Sequence, residues 1–86
     1  MGLEGFVAKI EEKADESGKA GKELVNVICE LIEYNTVVKK KQFYKPYIID
    51  YLVDFHGREC TISVEHDFHY KTIRVSGKTE FLRRYG

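Results

Sequence analysis

Histidine and cysteine have the widest chemical reach of the residues here, and His56, Cys60, His66 and His69 follow one another in the pattern HxxxC, then HxxH. All four side chains can bind zinc, but a shared site needs its ligands to converge to about 2.0–2.3 Å from the ion. Six residues of extended strand would separate Cys60 from His66 by about 20 Å. Only His66 and His69, flanking Asp67, can meet across a loop, and two or three loop ligands make a weak set. No metal site is expected. For nucleophilic catalysis, Cys29 and Cys60 both fall on apolar faces, where a free thiol behaves as a small hydrophobe. Asp50 and Asp54 share one strand face at about 13 Å, too far apart for a carboxylate pair. Ser76-Gly77-Lys78-Thr79 ends like a phosphate loop, yet Thr72 stands where the first glycine of GxxxxGKT belongs, and Gly21-Lys22 is followed by Glu23. The expectation is a chain with no catalytic residue and no cofactor, and not an enzyme.

A different chemistry is offered by KKKQFYKPY at positions 39–47. Lys39, Lys40, Lys41 and Lys45 supply cations for phosphates, and Phe43 and Tyr44 supply rings for bases, as binding of single-stranded nucleic acid requires. The tail repeats the mixture with Arg83 and Arg84. The plainer reading is a solvated connector whose aromatics turn inward. The two basic segments gain meaning only if they meet on one surface.

Gly18-Lys19-Ala20-Gly21 resembles the GxxG loop of KH domains, whose backbone cradles nucleotides. That family places a strand before its first helix, where this sequence has Met1 and Gly2, and an aliphatic residue before the first glycine, where it has Ser17. The segment therefore reads as a helix–helix turn that uses glycine for a left-handed residue.

The net charge is zero, but it is segregated along the chain. Residues 1–33 carry eight acids against four lysines, a balance of −4. Residues 34–48 carry four lysines and no acid, residues 49–69 five acids and Arg58, and residues 70–86 five cations against Glu80. The balance thus runs −4, +4, −4, +4, a pattern that gives local potentials able to steer a partner or to neutralise one another.

Apolar spacing suggests the elements that hold these residues. Leu3, Phe6, Val7, Ile10 and Ala14 repeat with helical period and stop near Ser17-Gly18. A second helix starts near Ala20, presents Leu24, Ile28 and Leu31 with Val25, Cys29 and Ile32, and stops at Asn35 before the β-branched Thr36-Val37-Val38. After Pro46 the period becomes two. Tyr47, Ile49, Tyr51, Val53 and Phe55 alternate with polar or mixed positions, and Cys60, Ile62 and Val64 continue after a turn at His56–Glu59. A third strand is expected over 70–75, and a last helical turn over Phe81, Leu82 and Tyr85 with Glu80 and Arg84 paired at i,i+4. The expected fold is α+β: two N-terminal helices packed on a three-stranded antiparallel meander, with a short C-terminal helical turn. It forms one domain of 1–86, divided into a helical part at 1–35, a basic connector at 36–46, the meander at 47–75 and a C-terminal element at 76–86.

No apolar run is long enough to span a bilayer, and no signal-peptide pattern is present, so no membrane role is expected. Two cysteines are too few for a disulfide framework, which suggests a reducing, cytoplasmic setting. The first meander strand is apolar on one whole face and also carries Ile48 and Leu52 on the other. These two either pack under the C-terminal segment or form an interface with Asp50 and Asp54 beside them. The leading expectation is a regulatory protein-interaction module that docks an unidentified protein partner, or a second copy of itself, through Ile48, Leu52, Asp50 and Asp54. The alternative is a single-stranded nucleic-acid binder using residues 39–47 and the basic tail.

Overall fold

The structure, a computed structural model, describes residues 2–44 and 47–86. Helix α1, Leu3–Ser17, buries the residues its apolar period marks, Leu3, Phe6, Val7, Ile10 and Ala14. It ends at Gly18, whose φ of 67° is the left-handed conformation that glycine adopts without a Cβ penalty. Helix α2, Gly21–Asn35, buries Leu24, Ile28, Cys29 and Ile32. At its end Thr36 donates both its N–H (3.1 Å) and its hydroxyl (2.7 Å) to the Ile32 carbonyl, and the chain turns into a strand.

Five strands follow: β1 Val37–Tyr44, β2 Ile48–Phe55, β3 Arg58–Asp67, β4 Thr72–Ser76 and β5 Glu80–Arg84. They form one antiparallel sheet in the order β1-β2-β3-β4-β5, a meander in which each strand pairs with its neighbour in sequence. The β2–β3 turn is a two-residue connection at His56 and Gly57, with φ of 53° and 83°. Positive φ at both positions is the backbone of a type I′ hairpin, whose twist matches that of the strands. The Asp54 carboxylate accepts the Gly57 N–H at 2.8 Å and holds the turn.

Both helices pack on one face of the sheet. There Tyr51, Val53 and Phe55 of β2, Ile62 and Val64 of β3, Ile73 and Val75 of β4 and Phe81 of β5 meet the apolar stripes of α1 and α2. The Phe6 and Phe55 rings pack at 5.1 Å between centroids.

Four expectations change. The sheet has five strands, not three. The segment read as a basic connector contains β1, because its β-branched start and the free edge of β2 give its backbone a full set of partners. A bulge between Val38 and Lys40 breaks the strict alternation that would have revealed it. The segment read as a helical turn is β5: Phe81 and Arg83 point to the helices, while Leu82 and Arg84 point away, as their pairing with Val75, Ile73, Arg74 and Thr72 requires. Glu80 and Arg84 therefore lie two strand repeats apart instead of on adjacent helical turns. The third meander strand also starts later, at Thr72, since Asp67 accepts the N–H groups of His69 and Tyr70, both at 2.9 Å, and builds a loop there.

Candidate partner-binding face

With both helices on one side, nothing among the described residues covers the other side of the sheet. Cross-strand pairing sets out its residues in rows. One row runs Tyr44, Ile48, Glu65, Arg74, Leu82 across all five strands, and the next runs Gln42, Asp50, Ser63, Ser76, Glu80. Lys40, Leu52 and Thr61 form a third, and Asp67, Thr72 and Arg84 close the opposite end. The face mixes apolar groups with both signs of charge.

Between the first two strands the face sinks into a hollow of about 250 Å³ lined by Lys40, Gln42, Tyr44, Asp50, Leu52 and Thr61. Its polar groups are held in place. The Tyr44 hydroxyl donates to Gln42 Oε1 at 2.9 Å, and the Ser63 hydroxyl donates to Asp50 Oδ1 at 2.6 Å. Leu52 and Ile48 are half-buried by their neighbours and have no helix over them. β5 pairs at the sheet edge and leaves them uncovered. Ile48, Leu52, Asp50 and Asp54, the four residues singled out for docking, thus share one face along β2.

The basic-aromatic residues are divided instead of gathered. Lys40 and Tyr44 lie on the bare face, while Lys41 and Phe43 lie on the helix side. Lys41 Nζ is 3.0 Å from Glu33 of α2 and 5.4 Å from the centroid of the buried Tyr51 ring. Lys39 sits exposed at the bulge, and Lys45 lies outside the described residues. Arg83 points to the helix side and holds Asp15 of α1 with two hydrogen bonds, at 2.9 and 3.0 Å, and Glu11 beside it. That guanidinium keeps the Asp15 carboxyl below the usual carboxylate value, chiefly by hydrogen bonding. Arg84 is on the bare face. β1 and β5 are opposite edges, four strand spacings or roughly 19 Å apart. The two basic segments do not converge.

The residues considered for metal or thiol chemistry are also spread out. Cys29 is buried on the inner face of α2, and burial pushes its thiol up, away from the reactive thiolate, with the Tyr51 hydroxyl as a weaker opposing influence. Cys60 is half-buried, with Sγ 3.5 Å from the Arg58 carbonyl. His66 is buried, its Nε2 paired with the Tyr85 hydroxyl, and desolvation lowers its pKa. His56 is in the β2–β3 turn and His69 in the β3–β4 loop. Among the described residues no three of His, Cys, Asp and Glu converge as a metal site, and no helix is long and apolar enough to cross a membrane.

Sequence reasoning missed most of the bare face: Gln42, Thr61, Ser63, Glu65, Arg74 and Leu82 were not singled out. The signal existed in the alternation of Lys40, Gln42 and Tyr44 with Lys41 and Phe43, and of Leu82 and Arg84 with Phe81 and Arg83. No protein family, curated protein or solved structure matches the chain.

Proposed function

We propose that the chain is a non-enzymatic protein-interaction module, an adaptor or regulator, that docks a protein partner on the bare face of its sheet. The observation that carries this reading is a five-stranded sheet covered on one side only, with Tyr44, Ile48, Leu52 and Leu82 on its uncovered side. An antiparallel sheet can leave one face to water, but such a face is normally polar throughout. Here Tyr44, Ile48 and Leu52 gather as an apolar patch on β1 and β2, with Leu82 apart on β5 and Lys40, Asp50, Glu65 and Arg74 around them. Apolar groups supply contact area and the flanking charges supply register and selection. Five strands at about 4.8 Å spacing and about 20 Å length offer a footprint of roughly 500 Å², near the low end for a specific partner. The whole face, and not the hollow alone, is needed. The two free cysteines support a reducing compartment, the cytoplasm, as its setting.

The nucleic-acid alternative would have drawn support from a common basic surface, and the separation of Lys39–Tyr44 from Arg83–Arg84 withholds it. Capture from a native extract, with and without nuclease, tests the choice. The retained protein should survive nuclease and be lost on Ile48→Asp with Leu52→Asp, while the variant keeps its folded circular dichroism. Retention that nuclease abolishes, or that the double substitution leaves unchanged, contradicts the reading.

A further inference from the structure

A second concavity lies on the opposite side of the sheet, where α2 leans over β1, β2 and β3. It encloses about 280 Å³. Its apolar lining comes from Val25, Cys29, Ile49 and Val64, the His66 ring and the Asn26 amide also line it, and its cations are Lys22 of α2 and Lys41 of β1. Three aromatic side chains, Phe43, Tyr47 and Phe68, complete it.

These three rings need an explanation. Phe43 is 64% exposed, Phe68 57% and Tyr47 39%, so none of them serves the core. Tyr47 and Phe68 meet edge-on at 6.4 Å between centroids, and Phe68 lies 4.1 Å from the ring of the buried His66. Exposed apolar side chains scattered singly are ordinary, but three gathered on one hollow mark a binding surface. The charge is one-sided as well. Among the described residues no carboxylate lines the cleft. Glu33 pairs with Lys41 without itself lining it, and Lys22 has no ion pair among the described residues.

We infer that this cleft binds a small planar aromatic anion, a carboxylate carried on one or two rings. The rings of Phe43, Tyr47 and Phe68 provide edges and faces for the ligand's ring. Lys22, which has no ion pair among the described residues, receives its carboxylate with the help of the Asn26 amide, while Lys41, held by Glu33 at 3.0 Å, also lines the cleft. Size selects the class: a cavity of about 150 Å³ holds benzene, and drug-sized ligands take about 300–1,000 Å³. A cleft of 280 Å³ suits one or two rings. The Lys22 ammonium, with no ion pair among the described residues, disfavours a cation of the same shape. This inference concerns the helix side of the sheet and stands independently of docking on the bare face.

The test is an amide NMR titration of the full chain with 2-naphthoate, 2-naphthylmethanol and 2-naphthylmethylamine, which keep the ring and change only the charge. Naphthoate should give saturable shifts centred on Asn26, Cys29 and Val64; the alcohol should bind more weakly and the amine should not saturate. Lys22→Glu, at an exposed position that leaves the fold intact, should weaken naphthoate about three- to tenfold, less so at high salt. Asn26→Trp, also at an exposed position, should fill the mouth and abolish the shifts. Equal affinity for amine and carboxylate, no saturation with naphthoate, or shifts centred outside the cleft would overturn the inference.

Discussion

Tyr51 joins a buried ring to a surface ion pair through one oxygen atom. Its ring is fully buried, and its hydroxyl donates to the Glu33 carboxylate, which also receives Lys41. The hydroxyl first, and then Lys41, hold the Glu33 carboxyl below its ordinary value of 4.5. Tyr51→Phe keeps the ring and removes the donor, so it should cost about 1 kcal/mol near neutral pH by urea unfolding. A carboxyl whose folded pKa is lowered contributes stability above its unfolded value and loses it as pH falls through the folded one. The difference between the two proteins should therefore shrink in acid, below the ordinary Glu value. His66 works with the opposite charge on the same side of neutrality. Burial lowers its pKa from 6.5, against a raising influence from Asp67, so the fold holds the neutral ring. Below pH 6.5 the unfolded chain takes up more protons than the folded one, and stability should decline. His66→Gln should remove that part of the slope between about pH 7.5 and 5.5; parallel slopes for the two proteins would refute it. Neither role could be read from sequence. Tyr51 was legible as a core position, but its partner lies on another element, eighteen residues away.

At the scale of elements, β1 explains what the lysine run does. It is an edge strand, and an edge presents unpaired N–H and C=O groups to any other chain. Lys39, Lys40 and Lys41, together with the bulge after Val38, make that edge a poor template for further pairing. Lys39→Val with Lys40→Val should raise light scattering on heating or prolonged storage without lowering the unfolding midpoint; unchanged scattering would show that the lysines do not guard the edge. Helices α1 and α2 and strands β2 and β3 were legible because their apolar periods are unbroken. β1 was not, because one bulge residue shifts its alternation and lysine gives no apolar signal. β5 was not, because Phe81, Leu82 and Tyr85 satisfy a helical spacing as well as a strand one, and only pairing with β4 decides between them. The docking candidates on β2 were legible for the same reason that β2 was; their neighbours on β1 and β5 were lost with those strands.

For the whole molecule, part of the alternating charge is spent within the fold. The acidic helices face the basic strands and tail: Glu33 takes Lys41, Glu4 lies 3.9 Å from Lys78, and Glu11 and Asp15 take Arg83. Exposed pairs of this kind contribute little each, about 0–1 kcal/mol, but they fix which charges remain for a partner. Lys40, Arg74 and Arg84 remain on the bare face, among Asp50, Glu65 and Glu80, beside the apolar patch of Tyr44, Ile48 and Leu52. A protein partner is proposed to sit there. A photo-crosslinking side chain placed at Thr61, exposed on the bare face, and separately at Glu12, exposed on α1, tests it most directly in a native extract. Adducts of defined mass should form from Thr61 and not from Glu12. Adducts from Glu12 alone, or from neither position, would contradict the claim.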